Sequence, residues 1–374
     1  YIKGRGPADF DTRGKLSYNF TYHDLTQTEN VISNTYYQFL YSRNSLNVGV
    51  GAFSSNLGRN LYSRNCLMFS NQMELSPSST LMGYASLGYI EPKTSAALGY
   101  NYAKNDFRMQ TAVAYDMDID RKINTGSFMH RIPEIKLHEN HRMSATVYSY
   151  LENHSRVQNY TLAGVAYDLQ YSGVFGRRFT LQLNNTFGSP EIPGPQMGLF
   201  TFSARTKYYL AERSRYFSLY YINSSKDYSI RDQEGSELPE IELRDQYANL
   251  LYHSNAQRNY RWSFGPSVEY YKSRNPLIGL GESKNFDIRK YRLEYKALFG
   301  RNFRISMKGG ISQELDGHTG KQARERYDFH LLGDYGSNGY GVRLSYDYGP
   351  MVNSGLYQYA LDAGNHAVNL SPYL

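Results

Sequence analysis

The sequence has 374 residues, of which 20% are charged, with a formal net charge of +7 and a mean hydropathy of −0.62. No stretch approaches the roughly 18 apolar residues that a membrane-spanning helix needs, which excludes a helical membrane protein. The single cysteine, Cys66, excludes a disulfide framework and a cysteine zinc site, and a mild charge without basic runs argues against nucleic-acid binding. Tyrosine is abundant at 38 residues, and it suits both half-buried strands and membrane–water interfaces.

Alternation of apolar and polar residues predicts twenty β-strands. In chain order they are Lys15–His23, Tyr36–Ser42, Ser45–Phe53, Cys66–Leu75, Thr80–Tyr89, Ala96–Tyr102, Phe107–Tyr115, Met129–Leu137, Arg142–Leu151, Thr161–Tyr171, Phe179–Phe187, Phe200–Leu210, Tyr216–Asn223, Asp245–His253, Tyr260–Tyr270, Arg289–Phe299, Phe303–Ser312, Tyr327–Tyr335, Tyr340–Tyr348 and Gly355–Leu361. Most have close to the roughly 9–11 residues that a tilted strand needs to cross a bilayer.

The clearest alternation lies in Arg326–Pro350. Tyr327 and Phe329 fall on one face of a strand and Asp328 and His330 on the other, and the same alternation restarts after a glycine-rich turn. Repeated along a whole chain, one apolar and one charged face per strand is the pattern of a transmembrane β-barrel.

The connections between the predicted strands alternate in length. Every second connection is short, about four residues on average, and the others average about twelve. We therefore predict an all-β, antiparallel transmembrane β-barrel of about 18–20 strands with short periplasmic turns and long extracellular loops. Residues 15–361 would form the barrel, residues 1–14 a periplasmic lead-in, and residues 362–374 a periplasmic tail or the start of a further segment. The start at Tyr1 without a visible signal peptide is expected of a processed protein or a piece of a longer one.

Nearly the whole chain resembles the outer-membrane β-barrels of Gram-negative bacteria as a class. Strands rich in tyrosine and asparagine, as in Asn34–Phe39 and Tyr340–Tyr348, are similar to barrels of Bacteroidota-type bacteria. The resemblance implies an outer-membrane location with lipid as the surrounding partner.

Basic residues recur on the predicted lumen-facing side of the later strands. The candidate selectivity residues are Arg205, Lys207, Lys290, Arg292, Lys296, Arg304, Lys308 and Arg343. A basic stripe between walls of low dielectric constant concentrates anions, so these residues would favour anionic solutes. In the alternative reading, Glu294, Asp328, Asp334 and Asp347 pair with the bases and brace a wet interior or a plug.

Other sites are weaker. The acidic loop Ser224–Arg244 carries Asp232, Glu234 and Glu237, carboxylates of the type that bind Ca²⁺, although their spacing matches no calcium loop. No nucleophile motif, phosphate loop or metal-binding histidine spacing occurs, so we expect no enzyme and no cofactor.

The sequence leaves several functions open. A porin-like conduit for a solute or a polymer is the first, with passage set by pore width and charge. A structural subunit of a larger outer-membrane secretion, assembly or uptake complex, with protein partners and a closed lumen, is the second. An outer-membrane enzyme would require a role for His330 or a loop serine.

Overall fold

The computed structural model describes residues 2–11, 14–27, 30–55, 57, 61–89, 92–155, 160–192, 197–210, 214–228, 241–257, 259–274, 286–315, 322–337, 340–348, 351–353, 358–360 and 366–373. Their strands are β1 (Ile2–Asp11), β2 (Gly14–Gln27), β3 (Asn30–Arg43), β4 (Leu46–Ser55), β5 (Leu61–Ser76), β6 (Ser79–Gly88), β7 (Lys93–Lys104), β8 (Phe107–Asp118), β9 (Ile123–His138), β10 (His141–His154), β11 (Tyr160–Phe175), β12 (Phe179–Gly188), β13 (Leu199–Tyr209), β14 (Arg215–Tyr228), β15 (Ile241–Gln257), β16 (Tyr260–Arg274), β17 (Phe286–Phe299), β18 (Phe303–Leu315), β19 (Gln322–Ser337), β20 (Tyr340–Tyr348), β21 (Met351–Asn353), β22 (Gln358–Ala360) and β23 (His366–Tyr373). Within these ranges no helix is long and apolar enough to span a membrane.

The chain divides into two compact units, which we describe separately. Unit 1 holds mainly Tyr1–Lys136 and Ser144–Tyr167, and unit 2 mainly Leu137–Met143, Asp168–Asp232 and Glu237–Leu374. In unit 1, β1 to β9 pair each with the next in antiparallel register. In unit 2, β12 to β20 do the same, and β23 pairs with β20. The all-β, antiparallel class and its hairpin order are therefore as predicted.

Two strands were missed by the sequence prediction. β1 lies within residues 1–14, predicted as a lead-in, and β23 lies within residues 362–374, predicted as a tail. β1 has Gly4, Gly6 and Ala8 on one side of its alternation, so its apolar signal in the sequence is weak, and β23 is only eight residues long. The predicted last strand, Gly355–Leu361, is wrong as a member of the main sheet. Its described part, β22, pairs only with β21 in a separate hairpin.

The hairpin turns explain the short connections. Two residues separate β3 from β4, β5 from β6, β7 from β8, β9 from β10, β15 from β16 and β19 from β20. Several turns place Asn44, Asn105, Gly176 or Gly300 at φ between 53° and 63°, the left-handed region that tight hairpins require. In an antiparallel meander every second connection lies at the same edge, so within each unit these turns share one edge.

The two faces of the strands differ in exposure. In unit 1, Leu98, Val113 and Phe128 are direct cross-strand neighbours, and each exposes 41–50% of its surface. Their neighbours along the same strands point to the other side, and Ala97 and Ala112 among them are buried. We call these two sides the exposed face and the buried face.

In unit 2 apolar side chains are again exposed, and the buried face also carries charged side chains. On its exposed face, Val268 lies opposite Tyr291 and Leu293 is 54% exposed. On its buried face, Glu269 lies opposite Lys290, and Glu294 is fully buried. Apolar side chains that face outward and charged side chains that face inward reverse the arrangement of a water-soluble sheet, and they match strands that meet lipid on one side.

Candidate functional site

Ion pairs connect β16 to β19 on the buried face of unit 2. We call Glu269, Lys290, Arg292, Glu294, Lys308 and Asp328 the charge network. The alternation of each strand places its members on this face, and the register of the sheet brings them into contact. Four of them, Glu294, Lys290, Asp328 and Glu269, are the most buried charged groups among the described residues and expose 0–5%.

Arg292 is the central cation of the charge network. Its Nε donates to Asp328 Oδ2 at 2.7 Å, and its Nη2 donates to the same oxygen. Its Nη1 donates to Glu269 Oε2 at 3.0 Å. Lys290 lies 3.6 Å from Asp328 Oδ2 as a second cation. One guanidinium therefore joins two carboxylates from strands on either side of it.

Glu294 is the second anionic centre. Lys308 Nζ lies 3.5 Å from Glu294 Oε1 and donates to Glu269 Oε1 at 3.3 Å. Lys296 Nζ lies 3.0 Å from Glu294 Oε2. The Tyr247 hydroxyl donates to Glu294 and accepts a hydrogen bond from Asn249.

The charges of this region nearly cancel. Three carboxylates, Glu269, Glu294 and Asp328, face four bases, and each of these bases has a carboxylate within 4.0 Å. Of the predicted selectivity residues, Lys290, Arg292, Lys296 and Lys308 thus lie in the paired arrangement that the sequence left as the alternative. Paired, buried charges brace a wall and attract a passing ion weakly.

The remaining late-strand bases lie nearer the short turns. Direct cross-strand neighbours form one row, Arg261, Leu298, Arg304, Asp334 and Arg343, from β16 to β20. A cavity of about 420 Å³ lies along this row and is also lined by His253, Lys296 and Ser306. We call it the turn-end cavity.

The electrostatics of the turn-end cavity differ from those of the charge network. Arg343 Nη2 lies 3.5 Å from Asp334 Oδ2, and Asp334 is the only carboxylate among the described lining residues. Arg261 and Arg304 are exposed, and within the described part of the chain neither forms an ion pair. This end of the buried face therefore carries excess positive charge.

Arg205 and Lys207 lie apart from the other predicted selectivity residues. Both line a separate cavity of about 510 Å³, together with Arg142 and Glu139. The Arg205 guanidinium lies 5.1 Å from the centre of the Tyr220 ring, and the Lys207 ammonium lies 5.6 Å from the centre of another tyrosine ring. Cation–π contacts leave the charge accessible, because they do not neutralise it.

The buried face of unit 1 carries an apolar cluster. Phe53 and Leu57, at the end of β4 and just beyond it, pack with Cys66, Met68, Tyr84 and Met129 in one cluster. Gly51, at φ 130°, lies at a bulge that shifts the register of β4 against β5 before Phe53. A Cβ on Gly49 would collide with the Phe53 ring, so a glycine there makes room for the ring.

The candidate catalytic and metal-binding residues do not form a site among the described residues. His330, one of the two residue types suggested for an enzyme, is bound to Asp347, its cross-strand neighbour. Asp232, Glu234 and Glu237 lie outside the described residues. Within the described residues, no group of three His, Cys, Asp or Glu side chains has the arrangement of a metal site.

Sequence reasoning missed Arg261, Glu269 and Tyr247. The alternation of β16 places Arg261 and Glu269 on the charged face, so the signal for their orientation was present in the sequence. Their partners depend on the register between strands, which alternation does not specify.

No protein-family model and no curated protein matches the sequence. Three solved structures illustrate what the chain is similar to. A bacterial polysaccharide outer membrane secretin is 12% identical with a TM-score of 0.36, over 78% of this chain and 94% of that chain. The siderophore receptor PirA from Pseudomonas aeruginosa is 10% identical with a TM-score of 0.42, over 98% and 72%. The copper transporter OprC is 10% identical with a TM-score of 0.45, over 96% and 75%.

TM-scores below 0.5 do not establish a shared fold, so the fold class rests on the strands themselves. Consecutive antiparallel strands with an exposed apolar face, and in unit 2 a buried charged face, are features of a transmembrane β-barrel protein. The predicted fold class is confirmed in these features.

Proposed function

We propose that this protein is an outer-membrane β-barrel conduit for the passage of a solute or a polymer. The observation that supports it best is the inversion of the strand faces, with Leu98, Val113 and Leu293 outward and Glu269, Lys290 and Glu294 inward. Apolar side chains outward favour lipid, and charged side chains inward favour a wet interior. Its setting is the outer membrane of a Gram-negative bacterium, with the short turns on the periplasmic side. A Bacteroidota-type source stays a prediction from the tyrosine-rich strands.

Selectivity, in this proposal, depends on where charge is unpaired. The charge network sets wall rigidity, because its bases are neutralised by neighbouring carboxylates. Arg304 in the turn-end cavity, and Arg205 and Lys207 in the second cavity, would provide the positive potential that favours anions.

The test is purification from native membranes in mild detergent, with mass determination and single-channel recording on the same sample. A single species with steady conductance is the expected result. A folded, pure protein that inserts into the bilayer and passes no current would contradict a conduit.

A second candidate function, a structural subunit of a larger membrane complex, is favoured by a separate observation. The buried faces are occupied by packed side chains, the charge network in unit 2 and the Phe53–Leu57 cluster in unit 1. A wall filled in this way is compatible with a closed interior. In the same experiment this candidate predicts a silent protein that purifies with partners in fixed ratio.

A further inference from the structure

The turn-end cavity has the composition of an anion site. Three arginines from three strands, Arg261, Arg304 and Arg343, occupy one cross-strand row. A planar guanidinium binds phosphate or carboxylate through paired N–H donors, which is why arginine predominates where such groups are recognised. The sheet fixes the backbone of all three residues, so their spacing does not depend on a loop.

The charge balance of the cavity indicates the valence of the ligand. Asp334 neutralises one arginine by its contact with Arg343, and Lys296 is neutralised by Glu294. Arg261 and Arg304 remain as two positive charges without an ion pair among the described residues. Two exposed guanidinium groups that line one cavity match a ligand with two negative charges.

The cavity also has the size and polarity for a small ligand. Its volume of about 420 Å³ lies in the range of small-molecule pockets. Ser306, Asn255 and Ser263 add neutral hydrogen-bonding groups, and Leu298 and Leu332 add apolar surface. Neutral donors beside arginines permit an anion to be oriented as well as attracted.

We infer that the turn-end cavity binds a small anion that carries two or more phosphate or carboxylate charges, held by Arg261 and Arg304 with Arg343 beside them. The assignment of this ligand as a transported solute rests on the proposed conduit, whereas the binding itself does not. The charge network is excluded as the site, since its bases already contact carboxylates.

The test is titration calorimetry on the purified full chain in detergent at low ionic strength, with inorganic pyrophosphate and citrate as the two probes. Saturable binding of at least one probe with one site per chain is expected, and the stronger probe distinguishes phosphate from carboxylate chemistry. Arg261→Gln and Arg304→Gln should each weaken the binding about tenfold or more, since each removes a charge-assisted hydrogen-bond donor.

The matched control is Arg289→Gln, which removes the same charge from the same sheet. Arg289 is exposed, lies near the other end of β17 and contacts the Tyr270 ring at 5.8 Å. It should bind the probes as the unaltered protein does. Absence of saturable binding for both probes, or an equal loss in the Arg289→Gln control, would overturn the site.

The failure of this inference is distinguishable from the failure of the conduit. A silent protein that still binds pyrophosphate or citrate through Arg304 contradicts the conduit and supports the site. A conducting protein that binds neither probe supports the conduit and refutes the site.

Discussion

Arg292 and Asp328 form a hydrogen bond of 2.7 Å although a whole strand, β18, lies between their own strands. The residue between them is Gly310, the cross-strand neighbour of both. Because glycine has no side chain, the guanidinium passes over β18 and meets the carboxylate on the far side. This contact ties three strands together on the buried face of unit 2.

The first prediction concerns this ion pair. Arg292→Gln leaves Asp328 and Glu269, both buried, without their main cation, and breaking a buried pair costs about 3–5 kcal/mol. We expect a clearly lower urea midpoint for the variant in detergent, followed through the fluorescence of the single tryptophan, Trp262. Arg343→Gln is the control, because the Arg343 side chain is 56% exposed and its loss should cost about 1 kcal/mol or less. Equal midpoints for the two variants would show that the network does not stabilise the sheet.

The second prediction tests the role of Gly310. A Cβ at this position would collide with the Tyr291 carbonyl oxygen, so Gly310→Ala should destabilise the protein by about 1–3 kcal/mol. Gly333→Ala in the next strand is the matched control, since no atom lies within 4 Å of its added Cβ. The measurement is the thermal unfolding temperature of both variants, which should be lower for Gly310→Ala than for Gly333→Ala. A Gly310→Ala protein as stable as the control would mean that β17 and β18 do not approach as closely as described.

The third prediction uses Cys66 as a reporter for the cluster of unit 1. Cys66 is fully buried and its Sγ lies 3.4 Å from the Gly51 carbonyl oxygen, so the folded protein should react slowly with a maleimide. Phe53→Ala removes a buried ring, costs about 3–5 kcal/mol and should speed the labelling.

Phe69→Ala is the control for that substitution, because Phe69 is 49% exposed on the other face of β5. Its labelling rate should stay near that of the unaltered protein. If native Cys66 reacted as fast as in the denatured chain, the cluster would not be closed.

The fourth prediction concerns ion preference and depends on the proposed conduit. Arg304→Glu reverses an exposed charge that has no ion pair among the described residues of the turn-end cavity, so the reversal potential in a salt gradient should shift toward cations. Arg289→Glu reverses a charge on the exposed face and should leave the potential unchanged. If Arg304→Glu also leaves it unchanged, the anion path is wrong.

The candidate site was predictable in part. Alternation placed Lys290, Arg292, Lys308 and Arg343 on the charged face and named Glu294 and Asp328 as their alternative partners. It could not separate the neutralised bases from Arg304, which has no ion pair in the part of the chain that the structure describes, because that distinction depends on which residue of the next strand lies opposite.

The sequence by itself determined the strands, their two faces and the alternation of short and longer connections. These are local properties, since side chains alternate with a period of two and turns have their own residue preferences. It failed locally at β1 and β23, where the apolar signal is weak or short. Only the tertiary structure decided that Arg292 meets Asp328 across Gly310 and that Arg261, Arg304 and Arg343 share one row. The physical reason is the register between strands. Hydrogen bonding between residues distant in the chain sets it, and a shift of one residue would move every side chain of a strand to the other face.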